Sequence, residues 1–415
     1  MHTTTARILA QNSGRDLERL TLKCAALRAD PFAFFRGTNS LFLSQLPRRR
    51  LPRSPCTLIC GDLHLENFGA FKGDNRLVYF DLNDFDESCL APLTLDLVRF
   101  VACLHVAGPV LKVTRATVAS LIEGFLGAYT EALGEGKPRW IERSLAQGVF
   151  ATLLERAAAR PRDALLERLT RLKDGTRRLR LGARALPAEA TTRAPIKALL
   201  RDLPAPGGHP KFYKLLDMAN RVAGNGSLGL PRWVLLTRGR GGPGGEFLLD
   251  LKFAAPSAPA AWWRGRQPHF ASDAERVVAL QRILQAIPPA LLQPVRLGRQ
   301  PYVLKELQPA VDRLQLAAWH DRPKRLVQAV RGMGQVTAWA QLRACGHLGA
   351  APAEALARFA AGTWAKPLTR LAAIMAERTL QAHADYAQDY DAGAVVAVLK
   401  KAVPGAPRRK PRARR

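Results

Sequence analysis

Between residues 58 and 87 the chain gathers oxygen-bearing side chains at an unusual density. Asp62, His64 and Asn67 fall in ICGDLHLENFGAF, and Asp81, Asn83, Asp84, Asp86 and Glu87 fall in LVYFDLNDFDE. Over the whole chain 63 Lys and Arg stand against 34 Asp and Glu, so a crowd of carboxylates is an exception that needs a reason. Several carboxylates and an amide in one short stretch suit a cation with oxygen ligands. A carboxylate held beside that cation can also take a proton from a hydroxyl.

Local structure must hold these groups in place. Residues 57–59 are apolar and partly β-branched, which predicts a buried strand, and Gly61 lets the chain turn sharply at its end. A hairpin follows, with its turn at Lys72, Gly73, Asp74 and Asn75 and a second strand over 77–80 that ends at Asp81. That hairpin returns Asp81 to the end of the sheet where Asp62 sits.

The stretch resembles known sequences. Gly61, Asp62, His64 and Asn67 are similar to the Gly-Asp-x-His-x-x-Asn loop of aminoglycoside and choline phosphotransferases, members of the kinase-like superfamily. The motifs GDLHLENFG, NDFDE and PFAFFRG (31–37) together resemble a bacterial family known as domain of unknown function 2252, over roughly residues 20–390. The resemblance implies a kinase-like fold and supplies no substrate. In its terms Asp62 orients and deprotonates an acceptor hydroxyl, and Asn67 and Asp81 hold Mg²⁺ against ATP phosphates. Asp84 is an alternate or second ligand, and His64 orders the loop. Asp96, at the start of the next helix, is expected to brace the catalytic loop. Arg36, in the aromatic 31–37 segment, is expected to pair with a loop carboxylate or to contact phosphate.

A second signal comes later in the chain. Gly224, Gly226 and Gly229, with Ser227 among them, form G-x-G-x-x-G. A dinucleotide fingerprint needs a helix after the glycines, but residues 230–236 read as a strand. Two strands joined by this run match the flap that covers ATP phosphates in kinases. A third strand over 247–253 carries Lys252, placed like the kinase lysine that contacts phosphate. Ser272 caps a helix over 274–286 in which Glu275 is the candidate partner for Lys252, with Gln281, nearer mid-helix, as the competing choice. A last hairpin leads to 306–308, where backbone groups are expected to meet adenine.

The sequence therefore predicts an α+β, two-lobed, protein-kinase-like fold that is circularly permuted, because the flap and lysine follow the catalytic loop instead of preceding it. Residues 1–203 form a helical lobe with the catalytic and metal loops, and 210–310 form a small, five-stranded antiparallel nucleotide lobe. Residues 311–400 complete the helical lobe, and 401–415 are a basic disordered tail. Apart from a short strand hinted at near residues 177–184, residues 114–203 are expected to be helical.

Composition sets the limits. A chain of 415 residues with 47% hydrophobic content is globular, and no apolar run is long enough to span a membrane. The N-terminus lacks a signal-peptide pattern, so a cytoplasmic location is expected. The six cysteines show no paired spacing and read as free thiols; Cys56, Cys60 and His64 lack a fourth zinc ligand nearby. The net charge of +29 leaves room for a nucleic acid or another polyanion as partner. Two readings of function follow. One is an Mg-ATP-dependent phosphotransferase acting on a hydroxyl acceptor, and the other is a kinase-like scaffold or polyanion-binding protein without turnover.

Overall fold

The computed structural model describes residues 1–401 apart from 174, 243, 310–313 and 315. The terminal basic run, residues 408–415, lies outside the described residues. The protein is α+β, and about half of it is helical.

Four short strands frame the acidic stretch. β1 (Cys56–Ile59) pairs antiparallel with β4 (Cys89–Pro92), while β2 (Phe68–Lys72) and β3 (Val78–Leu82) make the expected hairpin. β5 (Ile141–Glu142) adds to the free edge of β3. The region expected to be helical between 114 and 203 also contains a hairpin, β6 (Thr170–Lys173) with β7 (Thr176–Leu179), which takes in the start of the hinted strand. Its Arg-rich, alternating sequence leaves one face open to solvent.

The main sheet has six strands where five were expected. β8 (Ala185–Pro187), from before the 204–210 linker, joins the edge of β9 (Leu215–Arg221). β10 (Arg232–Thr237), β11 (Phe247–Phe253), β12 (Gln293–Leu297) and β13 (Gln300–Glu306) complete an antiparallel sheet ordered β12-β13-β11-β10-β9-β8. The period of two assigns its faces. Trp233 and Leu235 of β10, Leu249 and Leu251 of β11, and Tyr302 and Leu304 of β13 share one apolar cluster with Ile196 and Leu200 of helix Ala190–Arg201. The alternate residues Arg232, Asp250, Lys252 and Lys305 therefore point to the opposite face, which carries the site's charge.

The largest core lies among the helices. Helices Thr94–Ala107, Arg115–Glu135 and Pro323–Arg343 bury Phe100, Phe125 and Met333 with Phe68 and Phe80 of the hairpin. Helix Asp273–Leu284 joins this core through Val277, Val278 and Leu280. Trp339 and Trp364 are core residues. All six cysteines are free, and among the described residues no helix is long and apolar enough to cross a membrane.

Candidate functional site

β1 ends in a turn that only glycine satisfies. Gly61 has φ +79°, and a Cβ there would lie 2.2 Å from the carbonyl oxygen of Glu87. The turn is braced from below: the backbone N–H groups of Cys60 and Gly61 each donate to the Asp96 carboxylate at 2.9 Å. Asp96 is the expected brace, and it opens helix Thr94–Ala107 from a buried position. Burial pushes its carboxyl up to about 6 despite those hydrogen bonds.

The loop after Gly61 is tied to itself. Asn67 Nδ2 donates to the Asp62 carbonyl at 2.6 Å, and the Glu66 N–H donates to His64 Nδ1 at 3.1 Å. His64 thus caps the short turn Leu65–Asn67, an ordering role. Asn67 Oδ1 accepts no hydrogen bond among the described residues and belongs to a side chain that lines the cavity. Asp62 is held by Arg99, whose Nε lies 2.9 Å and Nη2 2.8 Å from Asp62 Oδ1. Burial raises the Asp62 carboxyl in spite of that guanidinium. Arg36 pairs with Glu66, so the structural alternative for that arginine holds.

The two aspartates at the end of the hairpin differ in kind. Asp81 is 3% exposed: Oδ2 accepts from Ala286 N–H at 3.0 Å and from Arg343 at 3.2 Å, while Oδ1 accepts from Leu82 N–H. It does not line the cavity. The expectation that Asp81 ligates a metal is corrected accordingly, because its oxygens are spent on the protein's own structure. Asp84, with its side chain half exposed, and Asp86 do line the cavity.

Lys252 of β11 meets this acidic loop from across the cavity. Its ammonium contacts Asp86 and lies 3.7 Å from Asp84 Oδ1. Burial opposes ionisation of Asp84, but Lys252 and Lys305 outweigh it and hold the carboxyl down at about 2. Burial, and then the Asp84 charge, raise Asp86. Glu87 is pushed up to about 8 by burial and by the nearby Asp62 charge. Beside Lys252, Asp250 is bound by Arg232 (2.9 and 2.6 Å) and Arg221 (2.7 Å). Glu275 does not pair with Lys252. It sits in the first turn of its helix, its N–H donates to Ser272 Oγ at 3.3 Å, and its carboxylate lies 3.8 Å from Arg296.

The glycine run joins β9 to β10 as expected. Gly224 (φ +80°), Gly226 and Ser227 line the same cavity, of about 1100 Å³, as Asp62, Asn67, Asp84 and Lys252. Gly229 lies outside it, with its carbonyl accepting from Asp16 N–H at 3.0 Å. At the expected adenine position, the N–H groups of Glu306 and Leu307 are already bound to Ala290 O and Leu248 O. Sequence reading had not placed Arg15, Lys23 or Lys305 in the site, although all three line the cavity. The alternation in β13 could have indicated Lys305; nothing local marks the other two.

Among the described residues no group of three or more His, Cys, Asp or Glu is arranged to hold a metal ion. The donor set still suits magnesium, which takes one or two carboxylates and completes its shell with water and substrate phosphates. Asp84 and Asp86 supply carboxylates, and Asn67 supplies an amide oxygen with no hydrogen bond to accept.

Fold and site together define an α+β protein with a deep cleft between an acidic loop and a charged sheet face. The chain belongs to the family described as "uncharacterized protein conserved in bacteria (DUF2252)", whose model matches residues 15–389. No curated protein and no solved structure matches the chain.

Proposed function

We propose that the protein is a kinase-like phosphotransferase that binds Mg-ATP in this cleft and phosphorylates a hydroxyl acceptor. The observation that carries the reading is the meeting of Lys252 with Asp84 and Asp86 in one cavity with Asp62, Asn67 and the glycine turn. These residues come from two segments far apart in the chain, and phosphoryl transfer needs this combination. Setting aside the edge strand β8, a glycine turn between β9 and β10, a lysine on β11 and a helix before β12 and β13 follow the order of parts in a kinase nucleotide lobe. The acidic loop precedes that lobe in the chain, which a circular permutation accounts for. The sheet then serves as the small lobe and the flanking helices as the large one.

In this reading the glycine turn and Lys252 grip the phosphates, and Asp84, Asp86 and Asn67 would hold magnesium, which would neutralise charge developing on the phosphate oxygens. The free Oδ2 of Asp62 faces the acceptor, while Arg99 fixes the other oxygen. The acceptor oxygen bonds to the γ-phosphorus as the bond to the β–γ bridging oxygen breaks. Asp62 takes the hydroxyl proton, and ADP leaves with the electron pair. Glu275 has no part, since Asp84 and Asp86 supply the counter-charge for Lys252.

Purified full-length protein, labelled ATP and cell extract provide the test. Label transfer that requires Mg²⁺ and is lost in Asp62→Asn supports the reading, and transfer indifferent to that change contradicts it. One observation favours the second reading, a polyanion-binding protein without turnover: Arg168, Arg180 and Arg184 are exposed and line the cavity. Salt-sensitive RNA binding that survives Asp84→Asn, with no transfer of label, is its signature.

A further inference from the structure

We propose that the end of the cavity nearest the N-terminal helices is a binding site for a phosphate group, held by Arg15 and Lys23. The site rests on geometry alone.

Lys23 belongs to helix Leu17–Ala29 and is 2% exposed. Its ammonium donates to the carbonyl oxygen of Gly226 at 2.9 Å. Arg15 Nη1 donates to the same oxygen at 2.8 Å and to Leu228 O at 2.7 Å. Two cations thus converge on one neutral oxygen at the tip of the glycine turn, and both line the cavity. Among the described residues neither has a carboxylate within ion-pair distance.

That arrangement is costly as it stands. Taking an ammonium out of water without a counter-charge costs several kcal/mol, and a like charge beside it adds to the cost. Burial first, and then the Arg15 charge, push the Lys23 amine well below its ordinary value, and burial brings Arg15 down to about 10; the charges of Glu87 on both and of Asp62 on Lys23 oppose these shifts without cancelling them. Lys252, by contrast, has Asp84 and Asp86, and Arg221 and Arg232 share Asp250. A ligand entering from the cavity would supply what Arg15 and Lys23 lack. Two adjacent cations with N–H groups to donate match a dianion with several acceptor oxygens, which describes a phosphate monoester.

The test uses the full-length protein without nucleotide and titrates inorganic phosphate, acetate, glycerol 3-phosphate and glycerol by calorimetry. Phosphate is expected to bind at one site about tenfold or more tighter than acetate, and glycerol 3-phosphate similarly tighter than glycerol. Lys23→Met should weaken phosphate by at least about tenfold, whereas Lys137→Met, at an exposed position outside the cavity, should leave it unchanged. Lys23→Met should also raise the Tm of the free protein, because methionine fills similar space without a buried charge and Gly226 keeps its hydrogen bond from Arg15. A ligand site and a purely structural lysine differ in that combination. Phosphate binding that survives Lys23→Met, or is weakened as much by Lys137→Met, overturns the proposal; so does acetate binding as tightly as phosphate, glycerol matching glycerol 3-phosphate, or a lower Tm for Lys23→Met. With no nucleotide present, none of these outcomes depends on whether the protein uses ATP.

Discussion

Asp81 and Asp84 lie three residues apart at the end of one hairpin, yet the fold gives them opposite positions. Asp81 is enclosed by Arg343, Ala286 N–H and Leu82 N–H, so each of its oxygens already has a protein donor. Asp84 opens into the cleft and has Lys252 at 3.7 Å. A carboxylate that is saturated holds elements together, and one left partly open is available to a ligand. Proximity in sequence does not distinguish them; the tertiary partner does.

Substitution at the two positions should separate these roles. The largest effect is expected for Asp84→Asn on transfer: about 10³-fold lower turnover in a labelled-ATP assay, with the unfolding midpoint in urea almost unchanged. Asp81→Ala should do the reverse. It strands Arg343 against a buried surface and should lower stability by about 3 kcal/mol in urea unfolding. If Asp81→Ala leaves stability intact and removes magnesium dependence, the assignments of the two aspartates are exchanged.

A smaller effect concerns pH. Asp250 is buried between Arg221 and Arg232, and these charges outweigh burial and hold its carboxyl far below the usual carboxylate range. Its folded value is below its unfolded one, so its contribution to stability is complete above about pH 4 and is lost as the pH falls. The loss at pH 3 should be about 1 kcal/mol, read as the difference in unfolding free energy between pH 6 and pH 3. Asp250→Asn should flatten that part of the profile. An equally steep profile in the variant would assign the acid sensitivity elsewhere.

How much was legible in the sequence follows the same division. The strand, the Gly61 turn, the hairpin and the Ser272 cap were readable because each depends on residues within a few positions of one another. The alternation in β11 placed Lys252 on a face opposite Leu249 and Leu251, and a period of two is visible without coordinates. Asp96 as the brace of the loop came from the resemblance, and its hydrogen bonds to Cys60 and Gly61 agree. What failed depended on distant partners. Nothing near Asp81 announces Arg343, which is 262 residues away. Glu275 was placed opposite Lys252 by analogy, whereas the capping pattern of Ser272 already gave it local work. β8 was missed because a three-residue edge strand has too short a pattern, and the expected 203/210 boundary cut it from its sheet. Arg15 and Lys23 carry no motif, and only the folded position of the glycine turn shows what they hold.

The most direct measurement is the thermal shift of the full-length protein with ATP, with and without Mg²⁺, compared with Asp84→Asn and Lys252→Met. A ligand that binds only the folded state raises Tm according to its affinity. The account predicts a magnesium-dependent rise in the wild type that both substitutions remove. A rise of equal size without magnesium, or one that persists in both variants, would contradict a single cleft formed by the acidic loop and the sheet.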